Sequence, residues 1–240
     1  MPNSRFAASV VLVAGGTGSL GRAVAEAFLA EGATVAVTWR HVQEFNALKD
    51  AAGANAVRLE GREIDVTDEA AAAALVADIV ARHGRLDALV NAVGGYDGGT
   101  KLWDVAPTVL DRMLALNLRA GYALARASVP AMLRGGRVAI VNVAAKAGID
   151  PPAGAAPYAA SKAAALALMD SLAAELAGSG VRVNSVLPSI IDTLANRKAM
   201  PGADYARWPK PAEIARVILF LCSDDAAVIH GASIPVYGNR

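Results

Sequence analysis

The sequence is poor in cysteine, in aromatic residues and in net charge. Its 240 residues include one cysteine, Cys222, so no disulfide can form within the chain, and the apolar run VILFLCS around it predicts a buried thiol. Aromatic residues make up 5% of the chain, and 23 basic residues nearly balance 22 acidic ones. Because the sequence lacks basic runs with interleaved aromatics, we expect no nucleic-acid partner.

Long apolar runs and metal-ligand spacings are also missing. No uninterrupted apolar stretch approaches the roughly 20 residues of a membrane helix, and the N-terminus lacks the basic and apolar regions of a secretory signal. The three histidines, His41, His83 and His230, lie far apart and without a cysteine or carboxylate cluster, so we expect no metal site. These absences favour a cytoplasmic protein that binds a small molecule and does not bind a membrane.

Short β-branched runs alternate with longer segments of helical period. The runs predict seven strands, at 9–15, 34–39, 56–66, 87–93, 137–143, 181–187 and 233–236. Between two of them, an apolar pattern from Asp68 to Gly84 has the start and stop residues of a helix. Continuous apolar strands separated by helices are typical of a parallel sheet that is covered on both faces. We therefore predict one α/β domain over residues 1–240, a Rossmann-type doubly wound parallel sheet of about seven strands with helices on both faces, and a substrate loop at about 189–211.

A glycine-rich turn, AGGTGSLG at 14–21, follows the first strand and leads into a helix that begins near Ser19. Glycine allows positive φ angles and a close approach of the backbone to a pyrophosphate. The N-terminus of the helix adds N–H donors and a positive dipole end. The position of the turn after the first strand therefore predicts a dinucleotide site.

The turn resembles Thr-Gly-x-x-x-Gly-x-Gly of the short-chain dehydrogenases/reductases, with Ala14 for the threonine and Ser19 for the middle glycine. Other family motifs follow in order over nearly the whole chain: Asp65-Val66, NAVG at 91–94, Asn117, Tyr158-x-x-x-Lys162 and the segment 188–193. The resemblance implies an NAD(P)H-dependent oxidoreductase. It assigns cofactor contacts to Gly15, Thr17, Gly18, Ser19, Leu20, Gly21, Asp65, Val66, Asn91, Lys162, Pro188, Ile191 and Thr193.

The end of the second strand predicts which cofactor is preferred. An acidic residue there would bind both ribose hydroxyls of NADH and repel a 2′-phosphate, whereas an arginine would pair with that phosphate. The chain has Trp39 at the position that is acidic in NAD-preferring relatives, and Arg40 follows. We therefore predict NADPH as the cofactor, with NADH as the alternative.

The family resemblance implies that Tyr158 and Lys162 are the catalytic pair and that Asn117 supports a water relay to the lysine. Residues at i and i+4 share one face of a helix. A free phenol has a pKa of about 10, so acid–base work near neutrality requires a lower pKa. The spacing predicts that Lys162, together with the positive nicotinamide, lowers the pKa of Tyr158.

The family's serine, 13 residues before the tyrosine, is replaced by Ala145. One branch of the family, the dihydropteridine reductases, lacks this serine as a rule, and the segments AAKAG and 191–208 are similar to theirs. The conjugated ring of a quinonoid dihydropterin spreads the charge after hydride transfer, so such a substrate needs a proton source more than a second hydrogen-bond donor. The resemblance implies substrate contacts from Ala145, Lys146, Tyr96, Tyr158 and Asn196.

Two other functions remain open. In a general carbonyl or 3-ketoacyl reductase, Lys146 or water would replace the missing serine. In a non-catalytic NADPH-binding regulator, the chemistry would be lost, although the retained Tyr158, Lys162 and Asn117 argue against this. The family resemblance also implies a homodimer or homotetramer, formed through the long helices at about 104–133 and 156–177.

Overall fold

A computed structural model describes residues 5–136 and 138–238. Seven parallel strands form one sheet in the order β3-β2-β1-β4-β5-β6-β7. They are β1 (Val10–Ala14), β2 (Thr34–Trp39), β3 (Leu59–Glu63), β4 (Ala88–Asn91), β5 (Val138–Val143), β6 (Val181–Pro188) and β7 (Ser233–Val236). The predicted fold class is confirmed, whereas Arg137, the first residue of the predicted fifth strand, lies outside the described residues.

Eight α-helices cover the two faces of the sheet in the part of the chain that is described. They are α1 (Ser19–Ala30), α2 (Val42–Ala52), α3 (Glu69–His83), α4 (Pro107–Leu114), α5 (Ala120–Met132), α6 (Ala156–Glu175), α7 (Leu194–Ala199) and α8 (Pro211–Cys222). None of the helices within the described ranges is long and apolar enough to cross a membrane.

The alternation of side chains along β1 explains why its sequence is apolar throughout. Val11 and Val13 point into a core formed with α1 and α8, whereas Val10 and Leu12 point into a second core formed with α3, α5 and α6. Both faces of the strand are therefore buried, as expected for a parallel sheet between two helical layers.

Local capping fixes the ends of α3 where the sequence predicts them. The carboxylate of Asp68 accepts hydrogen bonds from the backbone N–H groups of Ala70 and Ala71 at 2.8 and 3.1 Å. At the other end, Gly84 has a φ of 74°, a left-handed conformation that glycine adopts without strain.

The long helix predicted at about 104–133 is not a single regular helix. It begins at Pro107, and a π-helical turn at Ala115–Arg119 separates α4 from α5. The predicted long helix is therefore present over residues 107–132, and the π-helical turn inside it is a feature that the apolar pattern did not predict. The predicted helix at 156–177 is present as α6. The assembly assigned to these helices stays a prediction.

The order of the strands fixes where a ligand can bind. Strands β2 and β3 are added on one side of β1, and strands β4 to β7 are added on the other side. The order of the strands therefore reverses between β1 and β4. A crevice forms at the carboxyl ends of the strands at such a point. The glycine turn follows β1, and the NAVG segment follows β4, at this same edge.

Candidate active site

The glycine turn after β1 has the shape of an anion cradle. Gly15 has a φ of +73°, and Gly18 precedes α1 without a side chain that could cap the helix. An added Cβ on Gly21 would lie 2.1 Å from the carbonyl oxygen of Gly15, and one on Gly16 would lie 2.5 Å from Val37. The backbone of the turn is therefore packed directly against the start of α1 and against the side chain of Val37. This geometry fits a dinucleotide pyrophosphate.

The other predicted residues of the turn contribute differently. Ser19 is exposed at the start of α1, whereas the side chain of Leu20 is buried in the core. The backbone N–H of Gly15 donates to Oγ1 of Thr38 at 2.8 Å, which joins the turn to the end of β2. Thr38 was not among the predicted residues, although a threonine near the carboxyl end of the largely apolar strand TVAVTW is a signal that could have identified it.

Arg40 and Asp65 follow β2 and β3 at the same edge of the sheet. Arg40 is exposed, and Trp39 before it stacks on Phe45 of α2 with ring centroids 5.7 Å apart. The pKa of Asp65 lies below its usual value because Thr67 donates hydrogen bonds to its carboxylate and, to a smaller extent, because Arg40 is positively charged. Val66 is buried in the second core.

Asn91, at the end of β4, is buried and engaged with its neighbours. Its Nδ2 donates to Oδ1 of Asn142 at 2.9 Å, and its Oδ1 accepts from the N–H of Val93 at 3.2 Å. Asn142 in the apolar run VAIVNV is a second residue that the sequence reasoning missed, and its polarity is the signal. The pair holds the ends of β4 and β5 together, and a cofactor contact from Asn91 stays a prediction.

Lys162 is a buried lysine on α6. Its ammonium donates to the carbonyl oxygen of Val143, the last residue of β5, at 3.0 Å. The side chain has few polar neighbours, so burial lowers the pKa of Lys162 to about 8. α6 thereby places a titratable cation against the carboxyl end of β5.

Tyr158 lies one turn before Lys162 on the same helix. Its ring packs edge-on against Tyr96, with centroids 4.9 Å apart and planes at 75°. Burial, and to a smaller extent Tyr96, raise the pKa of Tyr158 to about 12. Among the protein's own groups, desolvation of the phenolate outweighs any effect of Lys162. The prediction that Lys162 and the positive nicotinamide together lower this pKa stays a prediction. A phenol with this pKa is protonated at neutral pH, as an ordinary phenol is, but it is a weaker acid, so work as a proton donor requires the pKa to fall when cofactor and substrate bind.

Asn117, in the π-helical turn, ties three segments together. Its Nδ2 donates to the carbonyl of Gly95 at 3.0 Å and to Oγ of Ser161 at 2.9 Å, and its Oδ1 accepts from the N–H of Gly95 at 2.9 Å. A Cβ on Gly94 would lie 2.8 Å from that Oδ1 and 3.1 Å from Nζ of Lys162. The segment after β4, the π-helical turn and α6 thus meet at one point. Sequence reasoning missed Ser161, and the predicted water relay stays a prediction.

The segment after β5 has a methyl group where the resemblance puts a serine hydroxyl. Ala145 is 6% exposed. Nζ of the adjacent Lys146 lies 3.2 Å from a carboxylate oxygen of Asp150 and 5.4 Å from the ring centroid of Tyr237. The ammonium of Lys146 is therefore engaged on the side of Tyr237, where a cavity of about 400 Å³ also includes Ser189, Ile190, Asp204, Arg207 and Trp208.

The predicted substrate loop has internal structure of its own. Oγ1 of Thr193 caps α7 by accepting from the N–H of Asn196 at 3.1 Å, and Nδ2 of Asn196 donates to the carbonyl of Ile191 at 2.8 Å. Pro188 is buried at the end of β6. Contacts of these residues with a cofactor or substrate stay predictions, and Asn196 holds the loop in shape through its side chain.

The buried ammonium of Lys162 leads to a prediction about stability and pH. Its pKa is about 8 in the folded chain, against an ordinary value of 10.5. Between these values the unfolded chain holds a proton that the folded chain has lost, so the free energy of unfolding rises with pH through this window. We expect a rise of about 2 kcal/mol between about pH 7.5 and pH 10 that Lys162→Met lacks.

Urea unfolding of both proteins at the two pH values measures this difference. Lys49→Met, at an exposed lysine of α2, controls for the loss of a lysine as such. Parallel pH profiles for the wild-type protein and Lys162→Met would contradict the prediction.

Known proteins similar to this chain cover nearly its whole length. The family model described as short chain dehydrogenase matches residues 9–203. The 3-oxoacyl-[acyl-carrier-protein] reductase FabG of Thermotoga maritima is 31% identical over 242 residues, which cover 98% of each chain. A short-chain type dehydrogenase/reductase from Mycobacterium ulcerans has a TM-score of 0.92 at 27% identity, with 97% of this chain and 90% of that one covered. An NAD+-bound xylitol dehydrogenase has a TM-score of 0.90 at 25% identity, with 98% and 100% covered.

Proposed function

The chain belongs to the short-chain dehydrogenase family, and from that premise we propose that it reduces a flat, conjugated substrate of the quinonoid dihydropterin type with NADPH. The observation that carries the proposal is the combination of a protonated, half-buried Tyr158 with a methyl group at Ala145. The site offers a proton, but no hydroxyl at the position from which relatives bind a substrate oxygen. A substrate that spreads its negative charge over a ring depends little on a second hydrogen-bond donor, so the missing hydroxyl costs it little transition-state stabilisation.

The chain's own groups have separate tasks in this proposal. The glycine turn binds the pyrophosphate through the backbone and the start of α1. When bound, the reduced nicotinamide supplies the hydride. Tyr158 gives its phenolic proton to the substrate, and Lys162 provides a buried positive charge one helical turn away that stabilises the phenolate left behind.

Tyr96 supports the choice of a flat substrate. Its side chain is 67% exposed although its ring touches Tyr158. An aromatic face that is open to solvent beside the proton donor suits stacking of a planar ring. Arg40 supports NADPH because it is exposed at the end of β2, where its guanidinium can pair with a 2′-phosphate.

A general carbonyl or 3-ketoacyl reductase is the second candidate. It is favoured by the identity of 31% with a 3-oxoacyl reductase over nearly the full length of both chains. In the structure Lys146 is engaged with Asp150, so under this candidate a water molecule rather than Lys146 takes the place of the serine.

A comparison of substrates tests the proposal and includes a gain of function. We expect the purified protein with NADPH to reduce quinonoid dihydropterin at least about 10²-fold faster than simple ketones or a 3-oxoacyl thioester, because a ketone needs a second donor to its oxygen. Ala145→Ser restores such a donor and should raise kcat/KM for ketones about 10-fold or more.

Ala144→Ser is the matched control, since Ala144 is the neighbouring buried alanine and its replacement adds the same hydroxyl at a different position. Faster reduction of ketones than of the pterin by the wild-type protein would reject the pterin proposal in favour of the second candidate.

A further inference from the structure

A carboxylate reaches the glycine turn from a helix that sequence reasoning did not connect with it. Oγ1 of Thr17 donates to Oε2 of Glu44 at 2.9 Å. Glu44 lies in the first turn of α2, and its residue is exposed. The hydrogen bond therefore joins the middle of the predicted pyrophosphate turn to the helix that follows β2.

The same turn is also joined to the end of β2. The hydrogen bond from Gly15 to Thr38 places the glycine turn beside the segment that continues into Arg40. Thr17, which is bonded to Glu44, and the segment that carries Arg40 thus lie beside the opening at the carboxyl ends of β1 and β2. This is where the adenosine half of a dinucleotide follows the pyrophosphate in a doubly wound fold.

The charges at this opening do not favour NADPH as plainly as Arg40 alone suggests. Asp65 is close enough for the charge of Arg40 to lower its pKa. Glu44, through its hydrogen bond to Thr17, adds a second carboxylate at this edge of the sheet. Within the described ranges, Arg40 has no carboxylate within 4.0 Å and therefore forms no closed ion pair.

We propose that Glu44 is a specificity-determining residue that limits the preference for NADPH. Its carboxylate repels the doubly charged 2′-phosphate that Arg40 attracts, and it can accept a hydrogen bond from the 2′-hydroxyl of NADH. The inference deepens the proposed function and rests on the part of it that places a dinucleotide at the glycine turn. Its consequence is a chain that binds both cofactors, with the ratio of affinities set by Glu44 and Arg40 together.

Glu44→Gln separates the charge from the hydrogen bond, because the glutamine amide oxygen still accepts from Thr17. We expect the ratio Kd(NADH)/Kd(NADPH) to rise about 10-fold in this variant, mainly through tighter binding of NADPH, and the change to shrink as salt is added. Glu44→Ala, which removes the hydrogen bond as well, should raise the ratio by a similar factor if charge is the cause. Arg40→Ala should lower the ratio.

Calorimetric titration of the purified protein with each cofactor measures these affinities without any substrate. Asp50→Asn is the matched control, since it removes one exposed negative charge near the other end of α2, and its ratio should stay within about twofold of the wild type. If Glu44→Gln binds both cofactors tightly with an unchanged ratio Kd(NADH)/Kd(NADPH), this inference is overturned. Glu44 would then have only a structural role, which is to join α2 to the glycine turn. Failure of the wild-type protein to bind either cofactor would instead overturn the proposed function, and this inference with it.

Discussion

Replacement of Tyr158 with phenylalanine is expected to lower kcat at least about 10³-fold while both cofactors still bind. The substitution removes one oxygen from a ring that keeps its contact with Tyr96, so the packing of α6 changes little. The phenol is protonated at neutral pH, and it is the proton donor of the proposed reaction. Without it, the proton must come from solvent.

Steady-state rates with the accepted substrate, together with cofactor titration, check this expectation. Tyr122→Phe is the control, because it removes the same oxygen from a tyrosine of α5 outside the candidate site. A Tyr158→Phe enzyme with more than about a tenth of the wild-type kcat would show that another group delivers the proton.

The second large effect is expected at Gly21. A Cβ at this position would lie 2.1 Å from the carbonyl oxygen of Gly15. Both are backbone-bound atoms, so neither can rotate away, and α1 must move off the turn. Gly21→Ala should therefore reduce the free energy of unfolding by about 3 kcal/mol or more and abolish binding of NADPH and NADH together.

Gly18→Ala is the matched control for stability. A Cβ there meets only the carbonyl oxygen of Gly15, at 3.5 Å, and the φ of −69° suits any residue. Its free energy of unfolding should lie within about 1 kcal/mol of the wild type. Urea unfolding of the two variants makes the comparison. Equal stability of Gly21→Ala and Gly18→Ala would mean that the turn and helix are not packed as described.

The fold follows from local patterns that the sequence displays directly. β1 is apolar at every position because it is buried on both faces, and the ends of α3 are marked by Asp68 and Gly84. The sequence also predicts the position of the candidate site, because the loops that follow parallel strands meet at one edge of the sheet. Local patterns do not predict the preferred cofactor and the substrate in the same way, because both depend on which charged groups and aromatic rings face each other at that edge.

The features that the sequence could not predict depend on distant residues. The pKa of Tyr158 is set by burial against segments that are distant along the chain, such as that of Tyr96, whereas the local spacing to Lys162 predicts the opposite direction. Glu44 reaches Thr17 across 27 residues. No pattern marks the π-helical turn, because its extra residue leaves the apolar periodicity on either side intact.

The π-helical turn has a consequence for the engineering of this protein. Each residue of a regular helix advances by about 100°, so a single deletion within 115–119 would restore an ordinary helix and swing Asn117 away from Gly95 and Ser161. A redesign that removes the π-helical turn to raise thermal stability would therefore also remove the hydrogen bonds of Asn117 at the candidate active site. The extra residue of the π-helical turn thus sets the rotation of α5 relative to α4 about the helix axis.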